Sequence, residues 1–114
     1  MVQDRQPESR SEVRVVGRLG TKVLERELPS GASLTAFSIV VDRAERERHS
    51  EVAVDTIACM TPLRGVARRL DAMAAGTWVE ATGVLRRRFW RAANGLGSAM
   101  EVEVRKLRRV GRPD

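Results

Sequence analysis

Between Gly83 and Gly97 the chain reads GVLRRRFWRAANGLG. Alternate side chains of an extended strand share a face. Arg86, Arg88 and Trp90 therefore fall on one side, and Leu85, Arg87 and Phe89 on the other. Guanidiniums beside an indole suit a polyanion that carries planar rings. The cations track phosphates while the indole takes a base on its π-face, a stack worth about 1–3 kcal/mol with no demand on base identity. Leu85 and Phe89 are expected in the core or in a subunit contact. The same arginines also have a purely structural reading. Folding the chain back about Asn94-Gly95 sets Arg86 opposite Glu103 and Arg88 opposite Glu101. Such cross-strand pairs stabilise by roughly 0.2–1 kcal/mol. Exposed pairs are weak, so phosphates could compete for the arginines.

Other candidates are more scattered. Met60 could offer a soft apolar contact to a base, or simply line the core. Arg18 and Arg48, with Arg14, Arg43 and Arg46, could lengthen a basic groove. Acidic neighbours balance the arginines of 42–51, so that segment reads as a solvated tip, and it also holds the single histidine, His49. Glu101 and Glu103 share a strand face and could hold Mg²⁺, but arginines facing them argue against it. One histidine in a charged tip and one cysteine, Cys59, in an apolar strand make no nucleophile–base pair. A phosphate-binding Gly-x-x-x-x-Gly-Lys-Ser/Thr loop is missing too. Catalysis, a metal centre and a cofactor are all unexpected.

Charge supports the polyanion reading. The 114 residues carry a formal net charge of +6. The first 60 hold 9 basic and 10 acidic side chains, and the remainder 12 and 5. The excess thus lies in the half that contains the arginine run, which suggests a polyanion partner, most often nucleic acid and less often an acidic membrane surface. Only Lys22 and Lys106 are lysines, so a general preference for arginine accounts for part of it. A lone cysteine fits a reducing cytoplasm. No apolar run nears the ~20 residues that span a bilayer.

The elements that must position these residues are mostly strands. Residues 12–19 alternate apolar and polar, 33–42 and 52–60 are rich in β-branched residues, and 77–91 and 99–109 complete the set. Residues 22–28 have no clear period and could prolong a long, bent first strand. Gly17 and Gly83 are expected at bends or bulges. Between the third and fourth strands the period becomes helical: Thr61 caps, Pro62 takes the first helical position, Leu63, Val66, Ala67, Leu70 and Met73 form one face, and Gly76 ends the helix. Residues 1–10 read as a disordered leader, 11–110 as one domain and 111–114 as a short C-terminal end. Five strands with one helix between strands 3 and 4 make an all-β class, a Greek-key barrel of the OB-fold type, which commonly binds oligonucleotides.

Four stretches also resemble the bacterial single-stranded DNA-binding proteins: EVRVVGRLG (12–20), PSGASLTAFSIVVDR (29–43), GTWVEATGVLRRRFW (76–90) and MEVEVRKLRRV (100–110). The resemblance implies an OB-fold, homotetramers, and sequence-tolerant wrapping of single-stranded DNA during replication, recombination and repair in a cytoplasmic, nucleoid-associated setting. It also shows departures. Val54 and Met60 stand where the family carries aromatic platforms, so Trp90 alone matches a stacking position. The family's acidic tail has no counterpart before Asp114. These features resemble a tail-less paralogue or a truncated form. The alternative role is that of the primosomal paralogue, a dimeric assembly subunit that works with replisome or primosome proteins and binds single strands weakly.

Overall fold

The computed structural model describes residues 6–21 and 23–111. In chain order these form β1 (Glu12–Leu19), β2 (Leu24–Glu27), β3 (Ser33–Asp42), a 3₁₀ turn (Glu45–Glu47), β4 (Val54–Thr61), α1 (Arg64–Asp71), β5 (Trp78–Ala92) and β6 (Gly95–Arg109). The strands hydrogen-bond in the order β1-β5-β6-β4-β3-β2, and a further β1–β3 pairing closes the sheet into a barrel. Two expectations are corrected. Residues 24–27 are a strand in their own right, paired antiparallel with the start of β3. The strand count is therefore six, and the helix lies between β4 and β5.

The core follows the period-two pattern. Phe37, Ile39, Cys59, Val79, Val102 and Val104 point inward, joined by Val66 and Leu70 of α1. The helix starts later than its sequence suggests. Leu63 is its N-cap, and Pro62 precedes it. The Thr61 hydroxyl donates to the Val104 carbonyl and accepts from the Leu63 amide, which ties the helix entry to β6. Segment 43–51 is a hairpin tip after all, closed by the Arg43 amide on the Ala53 carbonyl, with the single 3₁₀ turn inside it.

Glycine acts at two kinds of place. Gly17 makes no bulge; its ladder with β5 runs unbroken, and it lies instead where β1 passes close to the Val40 carbonyl. At Gly83 the expected irregularity is real. Thr82 pairs with Lys106 and Gly83 with Val104, so Arg105 is the extra residue of a β-bulge. A side chain at Gly83 would collide with the Glu103 carbonyl.

Past this bulge β5 and β6 outrun the barrel. β1 accompanies β5 only as far as Val84, and β4 meets β6 only at Val102 and Glu103. Residues 86–101 therefore form a two-stranded ribbon that projects from the barrel. Its register is Arg86↔Glu101, Arg88↔Ala99 and Trp90↔Gly97, ending in Ala92↔Gly95. The tight turn is Ala93-Asn94 rather than Asn94-Gly95. The positive φ falls on Gly95 (127°), and no non-glycine residue among those described has one. A type I′ turn, which needs positive φ at both central residues, is thus excluded.

Candidate nucleic-acid interface

The projecting ribbon carries the arginine run, and its two faces differ. On one face Arg88 places its guanidinium carbon 4.6 Å from the centroid of the Trp90 ring. The Trp90 indole in turn rests on Gly97 of the facing strand, where a β-carbon would overlap it. Such packing on a cross-strand glycine holds a large ring in place while 39% of the residue stays accessible. The ring is thus both oriented and open. A cation–π contact of this kind contributes about 0.5–1 kcal/mol at an exposed site.

Behind this unit lies a carboxylate that the sequence did not mark as buried. Glu101 is only 6% exposed. It accepts two hydrogen bonds from Arg26 of β2, Nη2 to Oε1 at 2.9 Å and Nη1 to Oε2 at 3.3 Å. Arg88 approaches the same carboxylate at 3.7 Å through its Nε, which has no hydrogen-bond partner among the described residues. Arg26 therefore neutralises Glu101, and Arg88 is a second, looser neighbour. Next along β6, Glu103 accepts from Arg86 at 3.4 Å and from Arg105 at 3.2 Å. The expected partnerships Arg86–Glu103 and Arg88–Glu101 do form, but on the diagonal, because the ribbon register is two residues away from the one that an Asn94-Gly95 turn would set. Four guanidiniums surround two carboxylates, so the face keeps a positive surplus.

Met60 adjoins this patch. It is half-buried, in parallel register with Glu103 and opposite Ala36 of β3. Arg86, Arg88, Trp90 and Met60 thus lie on one continuous outer side of β4, β6 and β5. Val54, six residues before Met60 on β4, falls on the same side by alternation and is exposed. Arg18 and Arg48 are placed apart. Arg18 aligns with Val40 of β3, about 13 Å along the strand from the Met60 row at ~3.3 Å per residue. Its guanidinium makes a two-pronged bond to Asp42 at 2.7 and 3.1 Å and lies 5.5 Å from the Trp78 ring. Hydrogen bonding from Arg18 holds the Asp42 carboxyl below the usual carboxylate range. Arg48 sits on the hairpin tip and donates to the Arg43 carbonyl.

On the other ribbon face, Leu85 and Phe89 do not take the place in the core that was one of their two expected positions. Phe89 is 64% exposed, and Leu85, Leu96 and Met100 are exposed with it. None of them enters the core of this chain, because the ribbon has left the barrel before it reaches them. Arg26 is the residue that sequence reasoning missed. Nothing in LERE marks it, since its partner is 75 positions away.

A small closed sheet of this order, with one helix between its fourth and fifth strands, is an OB-fold. No family model matches the chain, and no curated protein does. Among solved structures it is similar to a chain described as the Plasmodium falciparum SSB complex with ssDNA. The identity is 18%, the TM-score 0.75, and the match covers 94% of this chain and 100% of that one. At that identity the likeness establishes the fold.

Proposed function

We propose that this OB-fold binds single-stranded DNA without regard to sequence, through the Arg86–Arg88–Trp90 face of the ribbon. The observation that carries the reading is the Arg88–Trp90 unit: a fixed, accessible indole with a guanidinium beside it and a second, Arg86, one step along the same face. The SSB named above, which shares the fold, is described in complex with single-stranded DNA. Arg88 is free to change partner, because Glu101 keeps its two bonds from Arg26. A phosphate can therefore recruit Arg88 without leaving a buried carboxylate unpaired. Met60 gives the strand an apolar rest beyond Trp90, and Arg18 and Arg48 offer more distant phosphate contacts.

With one aromatic platform where the family resemblance leads one to expect several, charge dominates this interface. The test is a salt-series titration of dT oligomers followed by tryptophan fluorescence. Affinity falls steeply with salt, and Arg88→Ala lowers the slope of log K against log salt by about 0.7. Trp90→Ala costs about 1–3 kcal/mol of binding. No binding of long dT at low salt defeats the proposal. We place the activity in replication, recombination and repair, with the chain assembled as a homo-oligomer.

One set of observations favours a second reading, an assembly subunit with weak single-strand binding. Both arginines already have carboxylate neighbours, and the opposite ribbon face exposes Phe89 and Leu96. Feeble dT affinity together with capture of one replisome protein would favour it.

A further inference from the structure

A cleft of about 770 Å³ lies between α1 and the barrel ends of β5 and β6. Its exposed apolar side chain is Leu63, the helix N-cap, 44% exposed although it is a large aliphatic, with the core residues Val66 and Leu107 beneath it. Its rim carries Arg69 from the helix, and Lys106 and Arg108 from β6. Among the described residues neither Arg69 nor Lys106 has a carboxylate within ion-pair distance. Glu80, the one carboxylate in the lining, is already held by Arg108 at 3.0 Å and by Arg14 at 2.9 Å. Those bonds, the one from Arg108 foremost, keep its carboxyl below the usual range. The cleft is therefore a cationic rim around an apolar floor, with its only acid neutralised from within.

We infer that this cleft is a docking site for an acidic segment of a partner protein, one that places an aliphatic side chain on Leu63 while its carboxylates meet Arg69 and Lys106. Charge complementarity requires an anion. No aromatic side chain lines the cleft, so nothing there offers a base a stacking surface. The apolar floor rewards a side chain that a phosphodiester backbone lacks. This site touches the Trp90 face through Arg105, which bonds Glu103, but either site could exist without the other.

The test uses the whole chain and a fluorescein-labelled acidic octapeptide with two leucines among six glutamates. Its control has serines in place of the leucines, and binding is read by anisotropy at low salt. The leucine peptide binds, and the serine peptide binds more weakly. Reversing two exposed rim charges together, Arg69→Glu and Lys106→Glu, weakens the leucine peptide about tenfold. Circular dichroism and dT affinity remain as in the parent chain. Leu63→Ser, exposed and outside the core, removes the preference for the leucine peptide without removing the charge. Absence of peptide binding, equal binding of the two peptides, or indifference to the charge reversal each overturns the inference. Loss of dT binding in place of peptide binding also overturns it, and makes the cleft part of a nucleic-acid track.

Discussion

The indole of Trp90 sits on the backbone of Gly97, its direct partner across the ribbon, and the absent side chain of Gly97 is what leaves it room. Gly97→Ala therefore pushes the ring off its seat. The indole is at the surface and can move, so the melting temperature changes little. The tryptophan emission shifts and dT affinity falls toward that of Trp90→Ala. Unchanged emission and affinity would show that the seat does not set the ring.

Arg26 and Arg88 flank the same carboxylate but are predicted to separate cleanly. Arg26→Ala leaves buried Glu101 with only its looser neighbour, and costs about 2–3 kcal/mol of stability, somewhat less than breaking a fully buried pair. Arg88→Ala leaves the Arg26 bonds intact, so stability holds while dT binding weakens. Urea denaturation beside dT titration measures both. An equal loss of stability in the two variants would contradict the assignment of Arg26 as the neutralising partner.

Acid should loosen the barrel. Asp42, Asp55 and Glu80 are each held below the usual carboxylate range, chiefly by hydrogen bonds from Arg18, Arg43 and Arg108 respectively. A depressed folded pKa means that the unfolded chain binds the proton first. The stabilisation is complete above the unfolded value and is lost as pH falls through the lowered one, so the melting temperature is flat above about pH 5 and drops below about pH 4. Arg108→Ala makes that drop shallower. A melting temperature that falls between pH 8 and 6 would place the responsible group elsewhere.

Cys59 is buried in the core at 1% exposure, and desolvation, helped by the charge of Glu101, pushes its thiol up to about 12. The folded chain keeps this proton when the unfolded chain has released it. Stability is thus unaffected below about pH 9 and declines above it. At neutral pH the thiol is protonated and shielded, so a disulfide reagent labels it at the rate of unfolding. Immediate labelling of native protein would mean that the core opens there.

Period two made much of this legible. Arg86, Arg88 and Trp90 on one face of β5 and the burial of β3 follow from the pattern along single strands, while Met60 stayed undecided between a base contact and the core. What failed needed information from elsewhere in the chain. The Asn94-Gly95 pair marked the turn correctly but misplaced its register, because only Gly95 takes positive φ and the tight turn therefore falls one residue earlier. The helix began late because Thr61 still belongs to β4, its hydroxyl donating to the Val104 carbonyl 43 positions away, so that Leu63 takes the N-cap. For Phe89 alternation offered the core or a subunit contact, because it assigns a face and does not say what covers it.

The bulge at Gly83 has a consequence for how the chain tolerates length change. Val102 and Val104 point inward two residues apart, and the next inward side chain is Leu107, three residues further on. Arg105 supplies the missing step. Deleting it would restore strict alternation with Lys106 still facing out and Leu107 still facing in, whereas drawing it into a regular ladder would bring Lys106 to the core and turn Leu107 out, because a one-residue slip exchanges the two faces of a strand. The barrel and its cationic rim thus keep a common frame because one residue is looped out of the ladder. Replacing Arg105 removes an exposed side chain, and deleting it removes the bulge while every residue C-terminal to it on β6 keeps its face.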